Sequence, residues 1–333
     1  MPRLKLCILF ALACLLIACD PLAPDAPRKV IVVTQTTAPT LFPTVALTIT
    51  QTPLPTSTIQ PTEIATEAAI SVPEATAFVC NTSKGQILDL SFISKIAGTV
   101  NYRAYLPPCY YESTRRYPYV ILMPGSDQNQ TEWTDLLKVH EALDAGIALK
   151  ALPPMILIMT DGGDVMNTNV FTENASWESV IVKELMPEIE KSFCTWNARE
   201  GRAIGGISRG GFWAYEITFR FPDLFGAVGG HSAYFDLQNA PADYNPLSLA
   251  KTVEFAPGTQ PRFWLDVGKD DDTRPNIEIL QKTLAGRSID SGYTMNSTGD
   301  HTIDYWAAHV TDYLSFYGQT WPRDVMELPS CLQ

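Results

Sequence analysis

Residues 202–213 read RAIGGISRGGFW, a serine set between glycines after an apolar run and just before aromatics. A serine hydroxyl is a weak nucleophile, so G-x-S-x-G does chemistry only with a base and an orienting acid in reach. The pattern alone arises by chance in about one chain in ten of this length. Here it separates a predicted strand from a predicted helix, the setting of a nucleophile elbow. Gly206 and Gly210 stand where side chains would collide in so sharp a turn. Ser208 would occupy the apex, beside a helix N-terminus whose N–H groups and dipole favour a developing oxyanion. The competing reading is a Gly-rich strand-to-helix turn with no chemistry.

The sequence contains four histidines, His140, His231, His301 and His309. His140 and His309 fall inside predicted helices, and His231 follows a strand in GGHSAYF. His301 lies in NSTGDHTIDYW, a short polar loop between the last predicted strand and the last helix. A loop at the carboxyl end of a strand lets an imidazole reach over the nucleophile, so His301 is the expected base and His231 the reserve. The acid is expected in VGKDDDT, just after the strand RFWLDV. Asp270, Asp271 and Asp272 all qualify there, with Asp266 inside the strand a weaker choice. Serine, aspartate, histidine is the chain order of α/β-hydrolases. The oxyanion donors are expected to be the backbone N–H of Arg209 and one from the loop after YVILMPG, at Ser126. Asp127 and Trp133, further along that loop, are candidates to line the substrate pocket, with capping or packing the alternative for either.

The elements that must hold these residues follow from hydrophobic patterning. GQILDLSFIS (85–94) and TVNYRAYLPP (99–108) read as a β-hairpin. Buried strands are predicted at 117–125, 154–163, 201–207, 225–233 and 261–268, and a last strand at 291–297. Helical spacing is predicted at 133–145, 176–193, 209–220, 276–285 and 303–317. Apolar strands alternating with amphipathic helices imply a mostly parallel sheet covered on both faces. The segment between 233 and 261 is too short for a large lid domain. No internal repeat is visible.

The 333-residue chain is 46% hydrophobic, which supports a sizeable core. Its net charge of −12 argues against nucleic acid and against electrostatic attraction to anionic lipid. Arg3 and Lys5 precede an apolar run, Leu6 to Ala18, too short to span a bilayer comfortably and suited to a signal peptide. The run ends in LIAC, which resembles a bacterial lipobox and makes Cys19 the expected lipid attachment point; an ordinary secretory signal is the alternative. Residues 20–78 hold 13 threonines and 9 prolines, with Phe42 and Phe78 as the aromatic residues. Such a segment buries too little to offset its ordering entropy and is expected to be a disordered stalk of about 40 Å end to end. A folded α/β domain is expected over 80–333.

Cys80, Cys109, Cys194 and Cys331 remain beyond the signal. An even number in an exported domain suggests disulfides, and their spacing matches no zinc motif. Four cysteines allow three connectivities; the predicted hairpin favours Cys80 with Cys109, with Cys194 and Cys331 as the second pair in that case.

The segments YLPPCYYESTRRYPYVILMPGS, ELMPEIEKSF, RAIGGISRGGFWAYEITFRFPDLFGAVGGHSA, FWLDVGKDD and GDHTIDYW together resemble the esterase family of the α/β-hydrolase superfamily. That family includes feruloyl and acetyl-xylan esterases, S-formylglutathione hydrolase, enterochelin esterases and mycolyltransferases. The resemblance covers about 85–320 and implies Ser208 as nucleophile, His301 as base and Asp271 as the acid. Two positions depart from the family pattern. Pro124-Gly125 stands where members often carry His-Gly, and Arg209 where many carry Met or Gln. The expectation is an exported serine esterase acting through an acyl-enzyme on a small or polymer-linked ester, with no metal or organic cofactor. An acyltransferase with the same triad, or a catalytically inactive surface-binding module, are the alternatives; the oligomeric state is left open.

Overall fold

The computed structural model describes residues 78–168, 170–235 and 240–332. The expected signal peptide with Cys19, and the expected stalk up to residue 77, lie outside the described residues. Eight strands form one sheet: β1 Gln86–Ser94, β2 Gly98–Leu106, β3 Tyr119–Met123, β4 Ile156–Thr160, β5 Arg202–Ile207, β6 Ala227–His231, β7 Arg262–Gly268 and β8 Gly292–Asn296. Their order is β1-β2-β4-β3-β5-β6-β7-β8. The β1–β2 hairpin is antiparallel and joins β4 antiparallel, while β4 to β8 run parallel.

Alternation along each central strand explains why the sheet is covered twice. Tyr119, Ile121 and Met123 of β3 face one apolar cluster, and Val120 and Leu122 face the other. On the second face lie α1 (Val139–Ala148) and, at the end of the chain, α5 (Ile303–Tyr317), through Leu143, Tyr305, Val310, Tyr313 and Tyr317. The first face is covered by α2, which runs from Trp177–Ser179 through the π-helical stretch Val180–Leu185 to Met186–Ser192. Beside it pack α3 (Arg209–Arg220) and α4 (Arg274–Gly286), with Phe212, Trp213, Ile217, Ile277 and Leu280 inward. This is the α/β-hydrolase architecture.

One predicted helix differs. Instead of a single helix at 133–145, a π-helical turn spans Glu132–Leu136, and α1 begins only at Val139. Lys138 separates them in a left-handed conformation, φ 58°. The π-turn is held to the preceding loop: the Trp133 indole N–H donates to the Met123 carbonyl at 3.2 Å, and Glu132 accepts from Gly125. Three short helices, Tyr110–Ser113, Gly163–Asn167 and Pro246–Leu249, were not predicted. The last is the helix found among the described residues between β6 and β7, where no large lid is inserted.

Cys80–Cys109 and Cys194–Cys331 are disulfide-bonded, with Cα–Cα separations of 5.4 and 5.8 Å. Among the described residues no helix is long and apolar enough to cross a membrane.

Candidate active site

In the sheet order, β3 and β5 are neighbours whose chain continuations leave in opposite directions, β3 on to β4 and β5 on to β6. Such a switch point opens a crevice at the carboxyl ends of the strands. The register aligns those ends: Met123 lies beside Gly206, Ile207 beside His231, His231 beside Asp266, and Gly268 beside Asn296. The loops after β3, β5, β6, β7 and β8 therefore meet on one edge.

Ser208 caps β5 with φ 53° and ψ −113°, the strained conformation an elbow demands. It is held there by its backbone: its N–H donates to the His231 carbonyl at 3.0 Å, and its carbonyl accepts from Phe212 and Tyr234. A Cβ on Gly206 would sit 2.5 Å from the carbonyl carbon of Gly210, and one on Gly210 would sit 2.5 Å from the Met123 oxygen. The glycines thus admit α3 against both its own strand and the loop after β3.

The three expected partners meet. Ser208 Oγ lies 3.0 Å from His301 Nε2, and His301 Nδ1 lies 3.1 Å from both Asp271 carboxylate oxygens. Ser208 is 8% exposed and Asp271 3%, while the His301 side chain between them is 31% exposed. Burial alone would raise the Asp271 carboxyl, but hydrogen bonds from His301, Thr273 and Ser232 outweigh it and hold it below the usual carboxylate range. Thr273 donates to Asp271 twice, through its N–H at 2.8 Å and its hydroxyl at 2.7 Å. The acid and base loops are themselves joined: Lys269 N–H donates to Asn296 O and Asp270 N–H to Gly299 O, both at 3.0 Å.

The remaining aspartates are elsewhere. Asp270 and Asp272 are exposed. Asp266 is buried and bonded to His231 at 2.6 Å, whose other ring nitrogen is 2.9 Å from the Tyr317 hydroxyl. Both ring nitrogens of His231 thereby face buried partners other than Ser208. His140 sits near Glu141 and His309 near Asp312, both on helices away from the serine.

Arg209 opens α3, and its guanidinium Nε donates to the Met166 carbonyl at 2.8 Å. Across the crevice Gly125 faces the nucleophile: a Cβ on it would lie 3.9 Å from Ser208 Cβ. The Gly125 N–H is already given to Glu132 Oε2 at 2.9 Å, so Ser126, which is exposed, is the next donor in that loop. Asp127 follows, exposed with φ 60°. Trp133 does not line the pocket as expected. It is 1% exposed and packs against His231 and Tyr313, because its indole is drawn down to Met123.

Sequence reasoning missed Ser232, Thr273 and Glu132. Ser232 bonds Asp271 and also accepts from the Trp306 indole at 3.0 Å, while the Trp306 ring stands edge-on to His301 at 5.0 Å. A serine after a strand and a threonine after aspartates carry no distinguishing signal. Glu132 reads as one polar residue in a polar loop, yet it is 1% exposed.

Residues 93–317 match the family model described as Putative esterase. The chain belongs to this family. Membership agrees with the α/β-hydrolase fold described above. The chain is 32% identical over 153 residues to an endo-1,4-beta-xylanase/feruloyl esterase of Xylanibacter ruminicola, a match covering 44% of this chain and 21% of that protein. It spans between a fifth and about a quarter of the length of the first curated relatives it matches, and 70% of an uncharacterized protein, YbbA, of Bacillus subtilis at 24% identity. Among solved structures, a ferulic acid esterase shares the fold with TM-score 0.63 at 20% identity, over 71% of this chain and 99% of that one. An S-formylglutathione hydrolase from Staphylococcus aureus superposes with TM-score 0.62 at 15% identity, over 70% and 98%.

Proposed function

We propose that this esterase is an exported serine hydrolase that cleaves a carboxylic ester through an acyl-enzyme. The observation that carries the reading is the continuous contact from Ser208 Oγ through the His301 ring to Asp271, at 3.0 and 3.1 Å. Ser208 Oγ attacks the ester carbonyl while His301 Nε2 takes its proton. Asp271, ionised and fixed by Thr273 and Ser232, orients the imidazole and stabilises its cation. The N–H groups of Arg209 and Ser126 receive the oxyanion, helped by the positive end of the 12-residue α3. His301 then returns its proton to the leaving alcohol, and an activated water releases the acid. The substrate is a small or polymer-linked ester; the short connection between β6 and β7, without a large lid, favours bulky esters.

Export and anchoring belong to the same reading. Arg3, Lys5 and the apolar run Leu6 to Ala18 form the signal, and Cys19 carries the lipid that tethers the domain to the cell envelope through the stalk 20–78. Two disulfides in the described domain support an oxidising compartment.

Hydrolysis of p-nitrophenyl esters by the full chain beside Ser208→Ala tests the enzyme. Turnover lost in the variant is expected, with loss of fluorophosphonate labelling. Equal turnover in both proteins refutes the serine mechanism. Cys19→Ser in the expressing cell is expected to abolish incorporation of labelled fatty acid; undiminished labelling refutes the anchor.

A further inference from the structure

Glu132 carries a carboxylate that the triad does not use and that sits where a carboxylate is costly. It is 1% exposed, at the start of the π-turn Glu132–Leu136. Oε2 accepts the Gly125 N–H, whereas Oε1 is enclosed and without a hydrogen-bond partner. Burial pushes this carboxyl up to about 7, against the opposing effects of the Gly125 N–H and the nearby His301. A half-satisfied buried acid is a net cost to the fold, so packing alone does not account for it.

Its position gives the account. The backbone of Gly125 is committed at both ends, with N–H to Glu132 and C=O to the Gln128 N–H at 3.3 Å. The peptide plane joining Gly125 to Ser126 contains that C=O and the Ser126 N–H, which point in opposite directions. Fixing Gly125 therefore aims the Ser126 N–H. Below, Trp133 ties the same π-turn to Met123, the residue before Pro124. Arg103 of β2 bolts the turn to the sheet through Thr134 and Asp135, both at 2.6 Å. Glu132 is thus the contact from a sheet-anchored turn to the loop facing Ser208.

We propose that Glu132 is a positioning residue for the oxyanion site, holding the Pro124–Gly125 peptide so that, with the Gly125 carbonyl held by Gln128, the Ser126 N–H meets the transition-state oxygen. The proposal rests on the serine-esterase reading for its kinetic consequence. A donor that acts on the developing oxyanion contributes to kcat far more than to KM.

The test uses the full chain with p-nitrophenyl acetate, Ser208→Ala as background, and phenylboronic acid as a tetrahedral-state mimic. Glu132→Ala is expected to lower kcat about 10–100-fold with KM within about twofold, and to weaken the boronate comparably. Glu132→Gln, which keeps an acceptor for Gly125, is expected to recover most of both. If Glu132→Ala fails to fold, Glu132→Met fills the volume without an acceptor and takes its place. Wild-type kcat and boronate affinity in the alanine or methionine variant overturn the proposal. So does a glutamine variant as impaired as either, which would assign the effect to charge. Amide hydrogen exchange reads the positioning without turnover: faster exchange over 124–128 in the alanine variant but not in the glutamine variant is expected, and no difference overturns it. A wild-type protein without turnover or labelling, but with that exchange difference, would refute the esterase reading alone.

Discussion

At the scale of single residues, the buried acids of the site differ in how many donors meet them. Asp271 illustrates it. Its hydrogen bonds win over burial, so it remains charged through the neutral range, and its stabilising contribution is lost only as pH falls through its depressed folded value. Asp271→Asn should keep the geometry but present the wrong imidazole tautomer, lowering kcat roughly 10³–10⁴-fold in steady-state assays. Glu132 is displaced the other way. With a folded value of about 7 against an ordinary 4.5, the native state holds its proton where the unfolded chain has lost it. Stability from this group is present below about pH 4.5 and disappears as pH rises to about 7. Glu132→Gln removes that dependence. Its urea-denaturation stability relative to wild type should therefore rise by about 3 kcal/mol between pH 5 and 8. A pH-independent difference would show that Glu132 does not titrate in this window.

At the scale of elements, the site depends on how α5 is seated beneath it. His231 on β6 bonds Asp266 on β7, stacks on Tyr313 at 3.6 Å and meets the Tyr317 hydroxyl. Asp266 also accepts from Tyr305 at 3.0 Å and Tyr313 at 3.3 Å. Tyr317 can reach this far because β5 is bare at Gly205, where a Cβ would lie 1.7 Å from its hydroxyl. The network clamps to the sheet the helix that begins two residues after His301, while the His231 carbonyl holds the N–H of Ser208. Its members are fully buried, so removing one partner leaves another without compensation. His231→Ala should cost about 3–5 kcal/mol by chemical denaturation. A loss below about 1 kcal/mol would mean that the cluster relaxes or admits water.

At the scale of the whole molecule, the two disulfides close loops of very different length, with sequence separations of 29 and 137. The longer one joins the end of α2 to the last described residues, beside the bridge from Arg115 to Ser330. Chain entropy assigns about 3.6 kcal/mol to the shorter loop and about 5 kcal/mol to the longer. Cys194→Ser with Cys331→Ser should therefore lower the unfolding free energy more than Cys80→Ser with Cys109→Ser. The reverse order in denaturation curves would show that native contacts around the bridges, not loop length, set their value.

Much of this was open to reading before any coordinates. Buried strands announce themselves by β-branched and aromatic runs, and helices by their period, because both are dictated by neighbours within a few residues. The elbow was legible for the same reason: glycines two residues either side of Ser208 reflect a steric demand of the local chain. His301 stood out as the histidine on a loop after a strand, and the hairpin implied the Cys80–Cys109 pairing. Other choices depended on groups distant in sequence. Which of three adjacent aspartates faces the imidazole is set by Thr273, Ser232 and the loop at 296–301, which converge only when β6, β7 and β8 align. Trp133 turned inward and Glu132 became buried because the turn after β3 folds back on its own strand. The sequence alone determined the alternation of elements and the residue types at their ends. The tertiary structure decided which of those residues are enclosed together, since burial and hydrogen-bond partnership arise from the meeting of segments that the sequence keeps far apart.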